Sequence, residues 1–185
     1  MRIAVPDKHV HRLLNHGPTT MITTAHGTRR NVMAAAWVMP LDFTPPKFAA
    51  VVAADTWTRE LLVASGECVL HAPTTLQADL CFEVGTHSGR DGDKFERFSI
   101  ATEPATTVAA PLILGCAAWL ECRVLVEPVM AERYDLFVLE CTAAFAEEAL
   151  WYDGSWHFAP NGPRTIHHEK GGRFFATGEL VMARR

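Results

Sequence analysis

Three alanines in a row on a strand-forming stretch, Ala34-Ala35-Ala36, constrain this chain more than any other feature. They follow Thr19–Ala25, β-branched and apolar, and a turn at Gly27-Thr28-Arg29-Arg30, so Asn31–Met39 returns as the second arm of a hairpin. Alanine is depleted in strands because it leaves no side chain to pack across the pleat. Three together expose a backbone surface against which something planar can lie. Pro40, Pro45 and Pro46 then break the pattern, and Thr56 and Thr58 put two hydroxyls where a helix starts, whose free amides attract phosphate. The expected ligand is flat at one end and anionic at the other.

The rest of the chain supplies a barrel's worth of strands. Val10, Leu13 and Leu14 over residues 6–16 have helical spacing, with Asp7 able to cap. Phe48–Ala54 suits a buried strand, and Thr56–Ser65 places Trp57, Leu61, Leu62 and Ala64 at helical intervals before a stop at Gly66. Glu67–His71 is a further strand, and Leu76, Leu80 and Val84 mark a helix over Thr75–Val84. The tract Gly85–Lys94 holds three glycines and several ionisable residues, which reads as a loop. Two long strands follow. Leu120, Cys122, Val124 and Val126 alternate with Glu121, Arg123, Leu125 and Glu127, and Phe137, Leu139, Cys141, Ala143 and Phe145 repeat the pattern after a connection at Pro128–Arg133. At least five antiparallel strands are enough to close a small barrel and remove its edges. The expected fold is mainly β with peripheral helices, one domain over residues 1–185, ending in an extended or short helical segment at Phe174–Met182.

Several function classes are disfavoured. A net charge of −4 with scattered Lys and Arg gives no surface for nucleic acid. No apolar run approaches the roughly 20 residues that span a bilayer, and the N-terminus lacks the apolar core of a signal peptide, so a cytoplasmic protein without membrane contact is expected. The five cysteines are odd in number, lie mostly in apolar runs and form no C-x-x-C pair, which reads as structural thiols in a reduced compartment. Nine histidines form only the close pairs His9-x-His11 and His167-His168, too few neighbours for a metal site. No serine stands in a nucleophile elbow, and no Gly-x-Gly-x-x-Gly follows a strand, so any nicotinamide lacks a dedicated Rossmann site.

Taken in order, Asn31-x-Met33-Ala34-Ala35-Ala36-Trp37, Pro45-Pro46, Thr56-x-Thr58, Ser65-Gly66-Glu67, Gly85-x-x-Ser88-Gly89-Arg90 and Asp93-Lys94-Phe95 resemble the flavin reductase-like, flavoredoxin-type family of FMN-binding split barrels. The similarity covers most of residues 15–172. It implies an antiparallel split β-barrel, a homodimer with one FMN per subunit near the interface, and transfer of hydride or electrons from NAD(P)H or a redox partner protein. The cofactor-binding residues implied are Asn31, Met33, Ala34, Ala35, Ala36, Trp37, Thr56, Thr58, Ser88, Arg90, Lys94 and His168. Lys94 is expected at the phosphate or ribityl chain. The stretch His168-Glu169-Lys170-Gly171-Gly172 carries one residue more than the family's late His-x-Gly-Gly-like segment, so the match falls on either His167 or His168.

The resulting expectation is an FMN-dependent oxidoreductase in which the flavin carries the hydride chemistry and the protein aligns the rings, with no catalytic residue assigned. The alternatives are a flavoredoxin-type carrier fed by a protein donor, a barrel holding haem or a deazaflavin, and a binding module without turnover. The aromatic residues Trp151, Tyr152, Trp156, Phe158, Phe174 and Phe175 are expected to pack on a second subunit that completes the flavin site.

Overall fold

The computed structural model describes residues 17–184. The helix expected over residues 6–16 lies outside the described residues. Seven strands form one antiparallel sheet: β1 (Thr20–His26), β2 (Arg29–Ala35), β3 (Val38–Phe43), β4 (Pro46–Val51), β5 (Glu67–Ala72), β8 (Ala118–Leu125) and β9 (Leu136–Ala146). Two short strands, β6 (Thr102–Glu103) and β7 (Leu112–Ile113), pair with each other outside it. The order in the sheet is β2-β1-β5-β8-β9-β4-β3.

That order explains the shape. β2 and β3 are the two edges of the sheet, yet Ala36 and Trp37 alone connect them. The three Cα steps from Ala35 to Val38 reach about 11 Å at most, so the sheet must roll until its edges meet at this corner. β3 pairs with β4 and not with β2, which leaves the barrel split instead of closed. The expected loss of edges is therefore corrected: β3 turns outward after Val38, and Met39, Leu41 and Phe43 stand exposed. The stretch 31–39 forms two strands for the same reason.

The barrel core gathers Ile22, Val38, Ala50, Val52, Cys68, Leu70, Cys122, Phe137 and Leu139, with Met33 and Ala35 of β2 against it. Helix α1 (Trp57–Ser65) plugs one end, inserting Leu62. Thr56 caps its start by accepting the Arg59 N–H at 3.2 Å, and Gly66, at φ 70°, ends it with an N–H to the Leu62 carbonyl at 2.8 Å. Helix α2 (Ala78–Thr86) covers the outer face of the β1–β2 hairpin, where Met21, Val32, Cys81, Val84, Phe95 and Ile166 form a second core. The hairpin is therefore buried on both faces, and its side chains alternate between the two cores.

Three further expectations change. The tract 85–94 is not one loop: Gly85 and Thr86 finish α2, Gly89–Asp91 is a 3₁₀ turn, and Lys94 opens the short helix α3 (Lys94–Arg97) under the Asp93 cap. The connection after β8 is helix α4 (Pro128–Tyr134), with proline in its first turn. Glu121, expected on a polar face, is fully buried, because Thr106 and Thr107 fold over it and donate backbone and hydroxyl hydrogen bonds. Burial pushes this carboxyl up, but those donors outweigh it and the net shift is down.

The chain ends in two hairpins, β10 (Trp151–Tyr152) with β11 (Ser155–Trp156) and β12 (Ile166–Lys170) with β13 (Arg173–Ala176), after which residues 177–184 run without regular structure. Among the described residues no helix is long and apolar enough to cross a membrane.

Candidate functional site

The site has two parts, both built on β2. At its start Asn31 is buried at the α1 end of the barrel, and its Nδ2 donates to the Thr58 hydroxyl at 2.8 Å. The other half of the amide is unmatched: Asn31 Oδ1 is buried with no protein partner. A buried acceptor left open costs roughly 1–3 kcal/mol, so such atoms call for an explanation. Gly89 lies on the same side chain. A Cβ built on Gly89 would come to 2.2 Å from Asn31 Oδ1 and 2.6 Å from the Trp57 ring, so only glycine lets the turn approach this closely.

Ser88, Thr56 and Arg90 surround the same place. The Ser88 hydroxyl accepts the Arg90 N–H at 3.2 Å, and the Thr56 hydroxyl donates to the Ala53 carbonyl at 2.8 Å while capping α1. Arg90 donates to the Asp55 carbonyl at 2.9 Å and to Glu60 at 3.2 Å. Its guanidinium lies 5.3 Å from the centre of the Trp57 ring, and Arg29 lies over the same ring at 5.3 Å. Exposed cations, a helix start and hydroxyls thus converge.

Lys94 takes a different place from the one its loop setting suggests. It is 4% exposed, and its Nζ donates at 2.8 Å to both the Val32 carbonyl on β2 and the Val84 carbonyl near the end of α2. Burial lowers its pKa from 10.5 to about 8. The ammonium satisfies a carbonyl that the helix end leaves orphaned and ties α2 to the strand edge.

The second part is a cavity of about 250 Å³ between the end of β2, helix α2 and the β12–β13 hairpin. Ala34, Ala35 and Ala36 line it together with Gly85, Thr86 and His168. The fold therefore brings the alanine run and His168 to one place, although more than 130 positions separate them in the sequence. His168 Nε2 donates to the Gly171 carbonyl at 3.0 Å, and its ring meets Phe174 edge-on at 5.5 Å. Thr19 also lines the cavity, and its buried hydroxyl has no protein partner. Met33 points the other way, into the barrel core. Trp37 is 54% exposed in the connector between the sheet edges. His167 belongs elsewhere, 3.2 Å from the Thr177 hydroxyl.

Cavity residues absent from the expected site are Thr19, Cys81, Phe82, Gly85, Thr86, Gly171 and Phe174. Gly171 stood inside the quoted His-Glu-Lys-Gly-Gly stretch, Gly85 and Thr86 inside the Gly85–Lys94 tract, and Phe174 in the aromatic set expected at a second subunit; Thr19, Cys81 and Phe82 carried no such signal. His71 was missed too. It is fully buried, with Nδ1 3.0 Å from the Met21 carbonyl and Nε2 accepting the Ile113 N–H at 3.0 Å, an arrangement that fits only the neutral ring protonated at Nδ1. Burial drives its pKa from 6.5 to about 4.

Comparison with known proteins agrees with this architecture. The family model of the flavin reductase like domain matches residues 12–159. The uncharacterised protein YddH of Escherichia coli is 40% identical over 178 residues, covering 95% of this chain and 94% of its own. The structure of an FMN-binding domain of a flavin reductases-like enzyme from Shewanella baltica superposes with a TM-score of 0.87 at 38% identity, covering 98% of this chain and 97% of that one. Flavoredoxin of Desulfovibrio vulgaris shares the fold, with a TM-score of 0.77 at 22% identity and 90% of each chain covered. The chain belongs to the flavin reductase like domain family.

Proposed function

We propose that this protein binds FMN and passes hydride or electrons through it, as an NAD(P)H-dependent oxidoreductase of the flavin reductase type. The observation that carries the reading is the cavity in which Ala34–Ala36 face His168 and the open Thr19 hydroxyl. Its small side chains suit a flat ring, and its unmatched hydroxyl suits a ring that carries polar edges. The Shewanella relative, described as FMN-binding, supports the choice of flavin.

In this reading the side chains of Ala34 and Ala36, with the backbone at Ala35 between them, form the wall against the ring. Thr19 and His168 bound its polar edge. Asn31, with its open oxygen on the other face of the strand, lies three residues back along β2, about 10 Å of backbone rise. Beside it, Ser88, Thr56 and Arg90 are the group suited to a phosphate. Bound FMN supplies the hydride chemistry itself. The protein's part is to hold the ring in place and keep water from one face.

A cavity of 250 Å³ lies below the usual ligand pocket of about 300–1,000 Å³, so one chain covers only part of a flavin. A second copy completing the site is the natural complement. Trp37 (54% exposed), Met39 (56%), Leu41 (49%) and Phe43 (94%) form an apolar row leading away from it, as a homodimer interface requires.

The test is an anaerobic titration of the FMN-loaded protein with NADH and with NADPH, following the visible flavin band. Bleaching by either nicotinamide at a stoichiometric end point supports the reductase. A protein that holds FMN but is bleached only by a protein donor is a carrier. Failure to retain FMN at all rejects the reading.

A further inference from the structure

Among the described residues, nothing fills the end of the barrel opposite α1. A cavity of about 880 Å³ opens there, floored by Thr20, Leu70, Ala118 and Leu120 on the inner face of the sheet, with Phe48 to one side. Its lining shares only Thr19 with that of the smaller cavity, and none of the alanine run lines it.

Across from the sheet stand Trp156 and Phe158, whose rings stack 5.8 Å apart and 11° from parallel. Polar groups gather at one side. The Thr165 and Thr177 hydroxyls are 2.6 Å apart, His167 Nε2 is 3.2 Å from the latter, and Arg164 donates to the Thr177 and Gly178 carbonyls at 3.0 and 3.1 Å. Those two bonds hold the start of the C-terminal segment as a further wall of the cavity.

Volume, wall and polarity point the same way. The space lies within the usual range of small-molecule pockets, and its mostly apolar lining with a few convergent polar groups is the character of such pockets. Apolar surface of this kind holds water poorly. Flat aromatic faces on one wall and aliphatic side chains on the other select a planar ring system. Walls from the sheet, the β3–β4 hairpin, the β10–β11 region and the C-terminal segment all come from one chain, and Met39 is shared with the apolar row of the proposed interface.

We infer that this cavity is a second binding site, taking a flat apolar compound of about two fused rings that carries one carbonyl, with the rings between Leu120 and Trp156 and the carbonyl toward the Thr20 hydroxyl. Thr20 shares the inner face of β1 with Ile22, which gives it that direction. The inference does not rest on the flavin reading.

The experiment is calorimetric titration of the full chain, as purified, with 2-acetylnaphthalene and with 2-ethylnaphthalene, which differ in the carbonyl. The expected result is saturable one-to-one binding of both, the ketone several-fold tighter, with a negative heat-capacity change. Ala118→Phe should weaken both probes by roughly tenfold or more by putting a ring beside Leu120 where the probe is placed, with far-ultraviolet dichroism unchanged. Ala72→Phe, which enters from β5, serves if that variant does not fold. Thr20→Val should remove the preference for the ketone and spare the hydrocarbon. Absence of saturation up to the solubility limit overturns the inference, as does wild-type affinity in the filled variants or equal affinity for the two probes. If the filled variants instead split a dimer and the wild type binds neither probe, the occupant is a second copy of this chain and the inference is wrong.

Discussion

Gly89 and Lys94 show how single residues set the site through what they touch within the chain, Lys94 in place of the phosphate contact expected of it. Gly89→Ala forces a methyl onto Asn31 Oδ1 and Trp57, which are buried or half-buried and cannot both retreat. Overpacking of this kind costs about 1–3 kcal/mol, and the thermal midpoint should fall accordingly. Flavin affinity should fall with it, because Asn31 moves. A variant as stable as the wild type, with Asn31 undisturbed, would contradict this account of the turn. Lys94→Met removes the donor from two buried carbonyls and should destabilise by roughly 1–3 kcal/mol at neutral pH. Because its ammonium is turned toward those carbonyls, FMN and riboflavin should lose affinity equally; a loss confined to FMN would return Lys94 to the phosphate. Its pH dependence has a definite sign. The folded pKa of about 8 lies below 10.5, so the unfolded chain binds more protons between these values and wild-type stability gains a rising term across that window. Urea unfolding of Lys94→Met from pH 7.5 to 10.5 should lack that term.

At the scale of elements, the β1–β2 hairpin carries the account, because its two faces serve different cores. Ala34 faces α2, with the Gly85 Cα position so near that a Cβ there would lie 3.4 Å from the Ala34 methyl, and Ala35 faces the barrel core. Ala34→Leu should therefore block the smaller cavity and abolish flavin binding while the protein stays folded, whereas Ala35→Leu should cost about 1–3 kcal/mol by overpacking. Flavin titration and thermal melts on the pair separate the two, and the reverse pattern would show that the faces are misassigned. His71 links β5 to β1 and β7 through both ring nitrogens. Its folded pKa of about 4 lies below 6.5, so its contribution is full above pH 6.5 and is lost on acidification toward pH 4, on the order of 3 kcal/mol. Glu121 adds a loss in the same direction at lower pH. His71→Gln should flatten the fall in urea stability between pH 6.5 and 4, and an unchanged slope would remove His71 from it. These elements differ in how much the sequence disclosed. Strand alternation, the Thr56 cap and the Gly66 stop are local signals, and they placed the hairpin, α1, β8 and β9 within a few residues. The inward turn of Glu121 and the burial of Lys94 depend on segments packed over them from elsewhere in the chain, which no local pattern encodes. His71 looked like one polar residue in a strand, because its partners Met21 and Ile113 are 50 and 42 positions away.

For the whole molecule, the exposed apolar surface bears on assembly. Trp151 and Trp156 meet edge-on at 4.9 Å, Tyr152 stacks on His157 at 3.6 Å, and Phe174 joins the outer core, so much of the C-terminal aromatic set finds partners within the chain. Trp37, Met39, Leu41 and Phe43 stand exposed along the split edge of the barrel. On the proposed reading light scattering should give a dimer of about twice 20.4 kDa, and Phe43→Glu with Leu41→Glu should yield a monomer with weakened flavin binding. A dimer that survives both charges would place the interface elsewhere. The pieces that the resemblance joined in sequence fall into two clusters, Asn31, Thr56, Thr58, Ser88 and Arg90 around Trp57, and Ala34–Ala36 with His168 around the smaller cavity. That the two clusters hold opposite ends of one flavin is the central claim. It is tested most directly by gel filtration of wild-type protein and Ala34→Leu after incubation with excess FMN, recording the visible absorption of the protein peak. The account expects a flavin band at about one FMN per chain for the wild type and none for Ala34→Leu; equal flavin in both peaks, or none in either, would contradict it.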